Sequence, residues 1–449
     1  MFDRMFRLGE NGTTVRREVL AGATTFLTMA YIVFVNPDIL SMTGMDFGAV
    51  FTATCLAAVI GTLVMGFAAN YPIALAPLMG ENAFFATVVT LGIAGTQVSW
   101  ETALAAVFVS GVVFALLTLV KVRELIIDSV PTSLKHAIAA GIGVFIVFIG
   151  LVNAGIVVRP GPDVISLGPV RLGNLWTAPP ILALAGTFVT AVLLVRRVKG
   201  AILIGLVATT AAGWALGYVH FDRVLSLPPS LAPTFLRMDL AGLLDWSMLP
   251  VVLIFLYMAV FDAIGTLVGV ADRAGLLTED GKLPRATPAL LSDAAATMAG
   301  AALGTSTTGA YIESAAGVQE GGRTGLANLV TAGLFLVTLF FSPIAAAVAA
   351  PIEVDGRVFS PFTAPALVMV GCLMAQGIGR IRWDDFTETV PAFLVIVMMP
   401  FAWSIADGIA VGFIAYPLLK IASGRAQEAG WLVRILGLLF LARYVFLPS

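Results

Sequence analysis

Predominantly apolar stretches of about 20 residues recur from one end of the chain to the other, each long enough to cross bilayer hydrocarbon as an α-helix. Twelve lie near 17–40, 48–70, 101–120, 134–152, 178–196, 200–219, 248–271, 286–303, 324–346, 362–378, 386–403 and 404–422. The pattern predicts an all-α polytopic membrane protein. A transmembrane barrel would show alternating segments of ~10 residues instead. Of the 449 residues, 59% are hydrophobic and 12% charged, with a mean hydropathy of +0.99. A soluble domain carries about twice that charge. The net charge of -2 and the absence of a basic face argue against a nucleic-acid partner. Cys55 and Cys372 lie inside apolar runs and read as small buried hydrophobes, not as a disulfide framework.

Two more segments, 74–92 and 305–320, are apolar enough to enter the bilayer but too broken to be ordinary helices. The first contains "PLMGENAFF" (77–85), the second "GTSTTGAYIES" (304–314). Counting them gives fourteen spans. Both termini then share a side with most of the basic loops. Only Arg159, Arg171, Arg223, Arg237 and Arg357 of the 25 Lys and Arg residues fall opposite. The positive-inside rule makes the richer side cytoplasmic. The leader "MFDRMFRLGENGTTVRREVL" has no signal-peptide h-region, and the tail 431–449 reads as a helix in the cytoplasmic interface. The expected location is the plasma (inner) membrane, multi-pass, with the lipid bilayer as solvent.

The broken segments point to two halves. "FLTMA" (26–30) resembles "FLYMA" (255–259), and "DSVP" (128–131) resembles "ETVP" (388–391). Glu81 and Glu313 stand at a similar separation. Two halves of seven spans each must be inserted upside down relative to one another, as in secondary transporters whose sites lie where broken helices meet at mid-membrane. Pro72, Pro77, Gly80, Gly304 and Gly309 tolerate the non-helical backbone this needs. Half-helix N-termini would aim free N–H groups into a covered or water-filled cavity.

An ionisable side chain at mid-bilayer costs roughly 2.5–3.5 kcal/mol even on lenient insertion scales, so intramembrane acids are candidates for function. Asp262, with Thr266 one turn on, and Glu313, beside Ser314, are the foremost. Asn82 offers a carboxamide, whereas Glu81 either lines the site or caps its half-helix. Asp293 reads as a structural hydrogen-bonder behind the site, and Asp38 and Asp407 as helix-start residues. With two histidines and two distant cysteines no metal cluster is available. Walker A, G-x-S-x-G and H-E-x-x-H patterns are absent, so no cofactor and no common hydrolase chemistry is expected.

The stretches "EVLAGATTFLTMAYIVFVNPDIL" (18–40), "YPIALAPLMGENAFF" (71–85), "FDAIGTLVGVADRAG" (261–275) and "GTSTTGAYIESAAGVQEGGRTG" (304–325) carry a resemblance. In order and over nearly the whole chain they resemble the AzgA-like adenine/guanine/hypoxanthine permeases of the xanthine/uracil permease superfamily. The resemblance implies a seven-plus-seven inverted repeat with strand–helix elements in spans 3 and 10. A core domain would comprise 1–120 and 248–346, and a gate domain, used for homodimer contact, 121–247 and 347–449. It implies import of purine nucleobases with protons by an elevator-like movement. Substrate-facing positions by motif are Gly80, Asn82, Asp262 and Glu313, with Ser314 and Thr266 beside them; Asp262 and Glu313 would exchange protons. The span 3 motif departs from the usual P-G-M-G-L-N-A: Leu78 replaces the first glycine and Glu81 the leucine. On this pattern Glu313 reads the base and Glu81 tunes the site. The residues also admit uracil, xanthine or another small solute. An anion would be repelled by the site acids, and a channel would need a continuous polar stripe.

Overall fold

The computed structural model describes residues 2–92, 97–120, 131–158, 170–220, 223–245, 248–278, 283–354 and 356–446. The "DSV" of the first repeat match, Lys121, Arg123, Arg159 and Lys282 lie outside them. The first half runs α1 (Phe2–Phe6), α2 (Val15–Met29), α3 (Ile32–Ser41), α4 (Phe47–Val64), β1 (Leu75–Pro77), α5 (Met79–Leu91), α6 (Trp100–Leu119), α7 (Thr132–Asn153), β2 (Val157–Val158), β3 (Arg171–Leu172), α8 (Ala178–Val195) and α9 (Ala201–Ala215). The second runs α10 (Leu249–Arg273), α11 (Ala286–Leu303), β4 (Thr308–Ala310), α12 (Ser314–Gln319), α13 (Leu326–Thr338), α14 (Ser342–Val348), β5 (Ile352–Val354), β6 (Arg357–Phe359), α15 (Ala364–Ala375), α16 (Phe386–Phe401), α17 (Ile405–Ala422) and α18 (Trp431–Phe446).

Each of the twelve expected spans is helical, and each broken segment is a short strand followed by a helix. Among the described residues, eight helical segments are long and apolar enough to cross a bilayer. Those at Ala201–Ala215, Ala364–Arg380 and Phe386–Phe401 are apolar but shorter. The tail is helical as expected and packs on α17.

Local chemistry sets several starts. Thr14, Asp46, Ser99 and Ser404 each cap a helix by accepting a backbone N–H. Asp407 lies in the first turn behind Ser404, as its helix-start reading requires. Asp38 does not: it is inside α3, where Thr363 donates its hydroxyl to it at 2.7 Å. α13 has no side-chain cap of its own. Buried Glu18 of α2 supplies one, accepting from Arg323 N at 2.8 Å and Ala327 N at 3.2 Å.

The packing follows a two-fold exchange of halves. α4 packs on α13 as α11 does on α6; α2 packs on α12 as α10 does on α5; α7 packs on α16 as α15 does on α8. The elements that meet their own counterparts, α4 with α11, α7 with α15 and β1 with β4, lie where such an axis would pass. The strands pair antiparallel, Leu75 opposite Ala310 and Pro77 opposite Thr308. Even the supports repeat: Thr62 of α4 donates to the Leu75 carbonyl and Thr297 of α11 to the Thr308 carbonyl, both at 3.0 Å. A two-stranded ribbon inside an apolar core is tolerable only because its edge groups are met this way.

Candidate functional site

The ribbon delivers two helix N-termini to the centre of the molecule. Gly304 ends α11 at φ +98°, a conformation that favours glycine, and turns the chain into β4. Pro77, which has no N–H to donate, ends β1; Leu78 N then bonds to the Thr307 carbonyl at 2.9 Å before α5 begins. Tyr311 closes the junction by donating its hydroxyl to the Pro77 carbonyl.

A cavity of about 310 Å³ opens between α5, α7, α10 and α15. Gly80 and Glu81 line it from α5, and Tyr257, Phe261, Asp262 and Thr266 from α10. Lys135 and His136 face it from α7 and Met374 from α15. Gly80 permits the close approach of α5 to α7, since a Cβ there would lie 3.0 Å from Ile142 Cγ2. Lys135 Nζ stands 5.3 Å from the centre of the Phe261 ring, within cation–π range. Tyr257 packs on Phe261 with centroids 4.3 Å apart, so this wall is aromatic. A larger cavity of about 550 Å³ lies between α7 and the end of α16, but residues such as Val147, Phe148, Leu151 and Phe401 leave little to orient a polar ligand. We therefore take the smaller cavity as the candidate site.

The acids form one electrostatic group. Glu81 is within range of Asp262 and Asp293, and Asp262 of Glu313. Their hydrogen bonding differs. Glu313 Oε1 accepts from the Tyr31 hydroxyl at 2.8 Å, and Glu313 is not among the lining residues of the cavity. Glu81 is 3% exposed, and its Oε1 has no partner among the described residues. Asn82 is fully buried; its Oδ1 accepts from Ser306, which ties the start of α5 to the second broken segment. Ser314 Oγ accepts from Ala74 N at 3.0 Å. Asp293 is buried behind β4 and takes a backbone hydrogen bond from Ala310.

Of the residues expected from sequence, Gly80, Glu81, Asp262 and Thr266 thus share one cavity. Asn82, Glu313 and Ser314 lie beside it, engaged with the protein. Sequence reasoning did not single out Lys135, His136, Tyr257 or Phe261 as site residues. The pair Lys135–His136 reads as an ordinary basic flank of a span, and an aromatic in an apolar helix reads as core.

The Permease family (Xan_ur_permease) matches residues 16–437. Adenine permease AdeP of Escherichia coli (strain K12) is 45% identical, the match covering 100% of this chain and 97% of the relative. Guanine/hypoxanthine permease PbuG of Bacillus subtilis (strain 168) is 44% identical, covering 98% and 99%. Among solved structures, the transmembrane domain of a cyanobacterium bicarbonate transporter, BicA, matches with a TM-score of 0.61 at 17% identity, covering 88% of this chain and 97% of that one. That likeness concerns the fold.

Proposed function

The chain belongs to this permease family and is a multi-pass membrane protein, not an enzyme, and from that premise we propose that it carries purine nucleobases. The observation that carries the reading is the cavity, which combines an aromatic wall with carboxyl groups from both α5 and α10. A purine is flat and presents ring and exocyclic N–H groups; an aromatic face stacks on the first and carboxyl oxygens accept from the second. Relatives at 45% and 44% identity are named for adenine and for guanine/hypoxanthine.

Fourteen spans in seven-plus-seven inverted order complete the reading, with both termini cytoplasmic in the plasma membrane. Residues 1–120 and 248–346 would move as a core against a gate of 121–247 and 347–449, which would also pair two copies. The repeated packing of the halves supports this. In an elevator-like cycle α5 and α10 travel with the base, while α7 and α15 stay behind as the other wall. Protons are the proposed coupling ion, taken up and released by Asp262 and Glu313. Asn82, Gly80, Ser314 and Thr266 shape the pocket around them.

Proteoliposomes test this. Labelled adenine or hypoxanthine should exchange against unlabelled base across the membrane. Uptake driven by an inward proton gradient should collapse with a protonophore. Absence of exchange for every purine would end the carrier reading, and uptake that survives the protonophore and follows sodium would replace the proton.

A further inference from the structure

Glu81 and Glu313 lie at similar places in the two halves, Glu81 in the first turn of α5 after β1 and Glu313 just before α12 after β4. "FLTMA" and "FLYMA" put Thr28 and Tyr257 in correspondence, one on the helix facing each carboxyl group. At the Glu313 end the arrangement is closed: Tyr31 donates to Glu313 Oε1 at 2.8 Å, while the Thr28 hydroxyl, 3.4 Å from the Glu313 carbonyl, lies nearer the Thr25 carbonyl at 2.8 Å. At the Glu81 end it is open. Glu81 Oε1 and the Tyr257 hydroxyl are both buried without a partner among the described residues, and both residues line the 310 Å³ cavity. Buried polar groups are almost always bonded, and two exceptions on one cavity mark where a ligand completes the set.

We propose that Tyr257 and Glu81 together read one edge of the transported ring, with Tyr257 donating to an acceptor and Glu81 Oε1 accepting from the neighbouring N–H. This rests on the nucleobase-carrier reading and names what that site recognises: an acceptor and a donor side by side. The lactam edge of a 6-oxopurine offers C6=O to Tyr257 and N1–H to Glu81. The amidine edge of a 6-aminopurine carries the same pair with the positions exchanged, ring N1 accepting and the exocyclic N–H donating, so that ring turns over to meet the same two groups. A ring methylated at N1 has lost the donor and gained a methyl group where Glu81 stands. Phe261, packed on Tyr257, holds the phenol in place.

The test is calorimetric binding of hypoxanthine and 1-methylhypoxanthine to purified wild type, Tyr257→Phe and Glu81→Gln, with ligand-free melting temperatures recorded for all three. Wild type should prefer hypoxanthine at least tenfold. Tyr257→Phe should weaken hypoxanthine roughly 5- to 150-fold, the range for removing one buried polar contact, and weaken 1-methylhypoxanthine, which keeps C6=O but cannot seat against Glu81, by less. Its ligand-free melting temperature should not fall, because the hydroxyl has no partner to lose among the described residues. Glu81→Gln should shrink the preference for hypoxanthine over its methylated form. Undiminished hypoxanthine binding by Tyr257→Phe, or a lower ligand-free melting temperature in that variant, overturns the inference while leaving the carrier reading intact. Wild type that binds none of adenine, guanine and hypoxanthine removes the carrier reading and this inference with it.

Discussion

Replacing Lys420 with methionine should destabilise the protein more than replacing Lys420 and its buried partner Glu388 together. Lys420, near the end of α17, has a side chain with no solvent exposure. Its Nζ lies 3.0 Å from Glu388 Oε1 and 2.7 Å from Glu428 Oε2. Glu388, in the first turn of α16, is 1% exposed and also accepts from Arg382 at 2.7 Å and Tyr416 at 3.0 Å. Breaking a buried pair on one side costs about 3–5 kcal/mol because a buried charge is left behind. Here Arg382 and Tyr416 stay on Glu388, so the expected cost of Lys420→Met is about 2–4 kcal/mol, at least a 30-fold fall in the folded-to-unfolded ratio. Methionine keeps most of the stem volume, so the loss reports charge and not a cavity. Adding Glu388→Gln removes the stranded carboxylate, and the double variant should recover at least half the lost stability. Thermal unfolding of Lys420→Met, Glu388→Gln and the double variant in one detergent reads this as an ordering of midpoints. A midpoint unchanged by Lys420→Met, or a double variant that loses the sum of the two single losses, would refute the claim that the lysine is held by Glu388.

Ser306→Ala should leave the fully buried Asn82 Oδ1 without its donor and cost about 1–3 kcal/mol in the ligand-free protein. An unshifted ligand-free melting point combined with lost purine binding would instead make Ser306 and Asn82 ligand contacts. At acid pH the end of the α16–α17 pair should loosen first. Hydrogen bonds from Arg425, then Lys420, lower the Glu428 carboxyl from 4.5 to about 2, and hydrogen bonding from Thr387 places that of Asp385 well below its usual range. A lowered folded pKa gives stability that is full above the unfolded value and lost as pH falls through the folded one. Hydrogen exchange at residues 385–428 should therefore rise as pH drops from about 4.5 toward 2, once corrected for intrinsic rates. A flat corrected profile would contradict it.

The helices were legible because bilayer thickness fixes a length and apolar residues fill it. The broken segments were legible because proline, glycine and an acid have no other reason to interrupt such a run. What the sequence could not give was which polar groups face each other. Asn82, expected at the substrate, is hydrogen-bonded to Ser306 more than 200 positions away. Asp38 looked like a helix start and is instead held by Thr363. The motif pattern ranks Glu313 above Glu81 as the reader of the base, whereas the hydrogen bonds leave Glu81 open and Glu313 engaged by Tyr31. Lys420 and Glu388 are simple helix-end charges until α17 folds back on α16.

A two-fold scaffold would offer two equivalent places for a ligand, so the side chains must choose one. The choice is visible by aligning the halves on "FLTMA" and "FLYMA", whose first residues, Phe26 and Phe255, are 229 positions apart. In that register Asp262 falls opposite Val33, which is buried and apolar. The first half therefore has no acid at the place of Asp262, and its Tyr31 hydroxyl fastens Glu313. The second half supplies the acid and the phenol and the first half the Glu81 oxygen; the phenol and that oxygen have no partner among the described residues, and all three residues line one cavity. The backbone symmetry builds two half-helix termini at the ribbon, and the polar residues close one and leave the other for a ligand. A single off-axis site is what this arrangement can do that a symmetric one cannot. Transferring the acid, by Val33→Asp with Asp262→Val, should not transfer binding, since Tyr31 would still occupy Glu313. If purine binding survived that exchange at wild-type strength, the asymmetry of Tyr31 and Tyr257 would not be what selects the site.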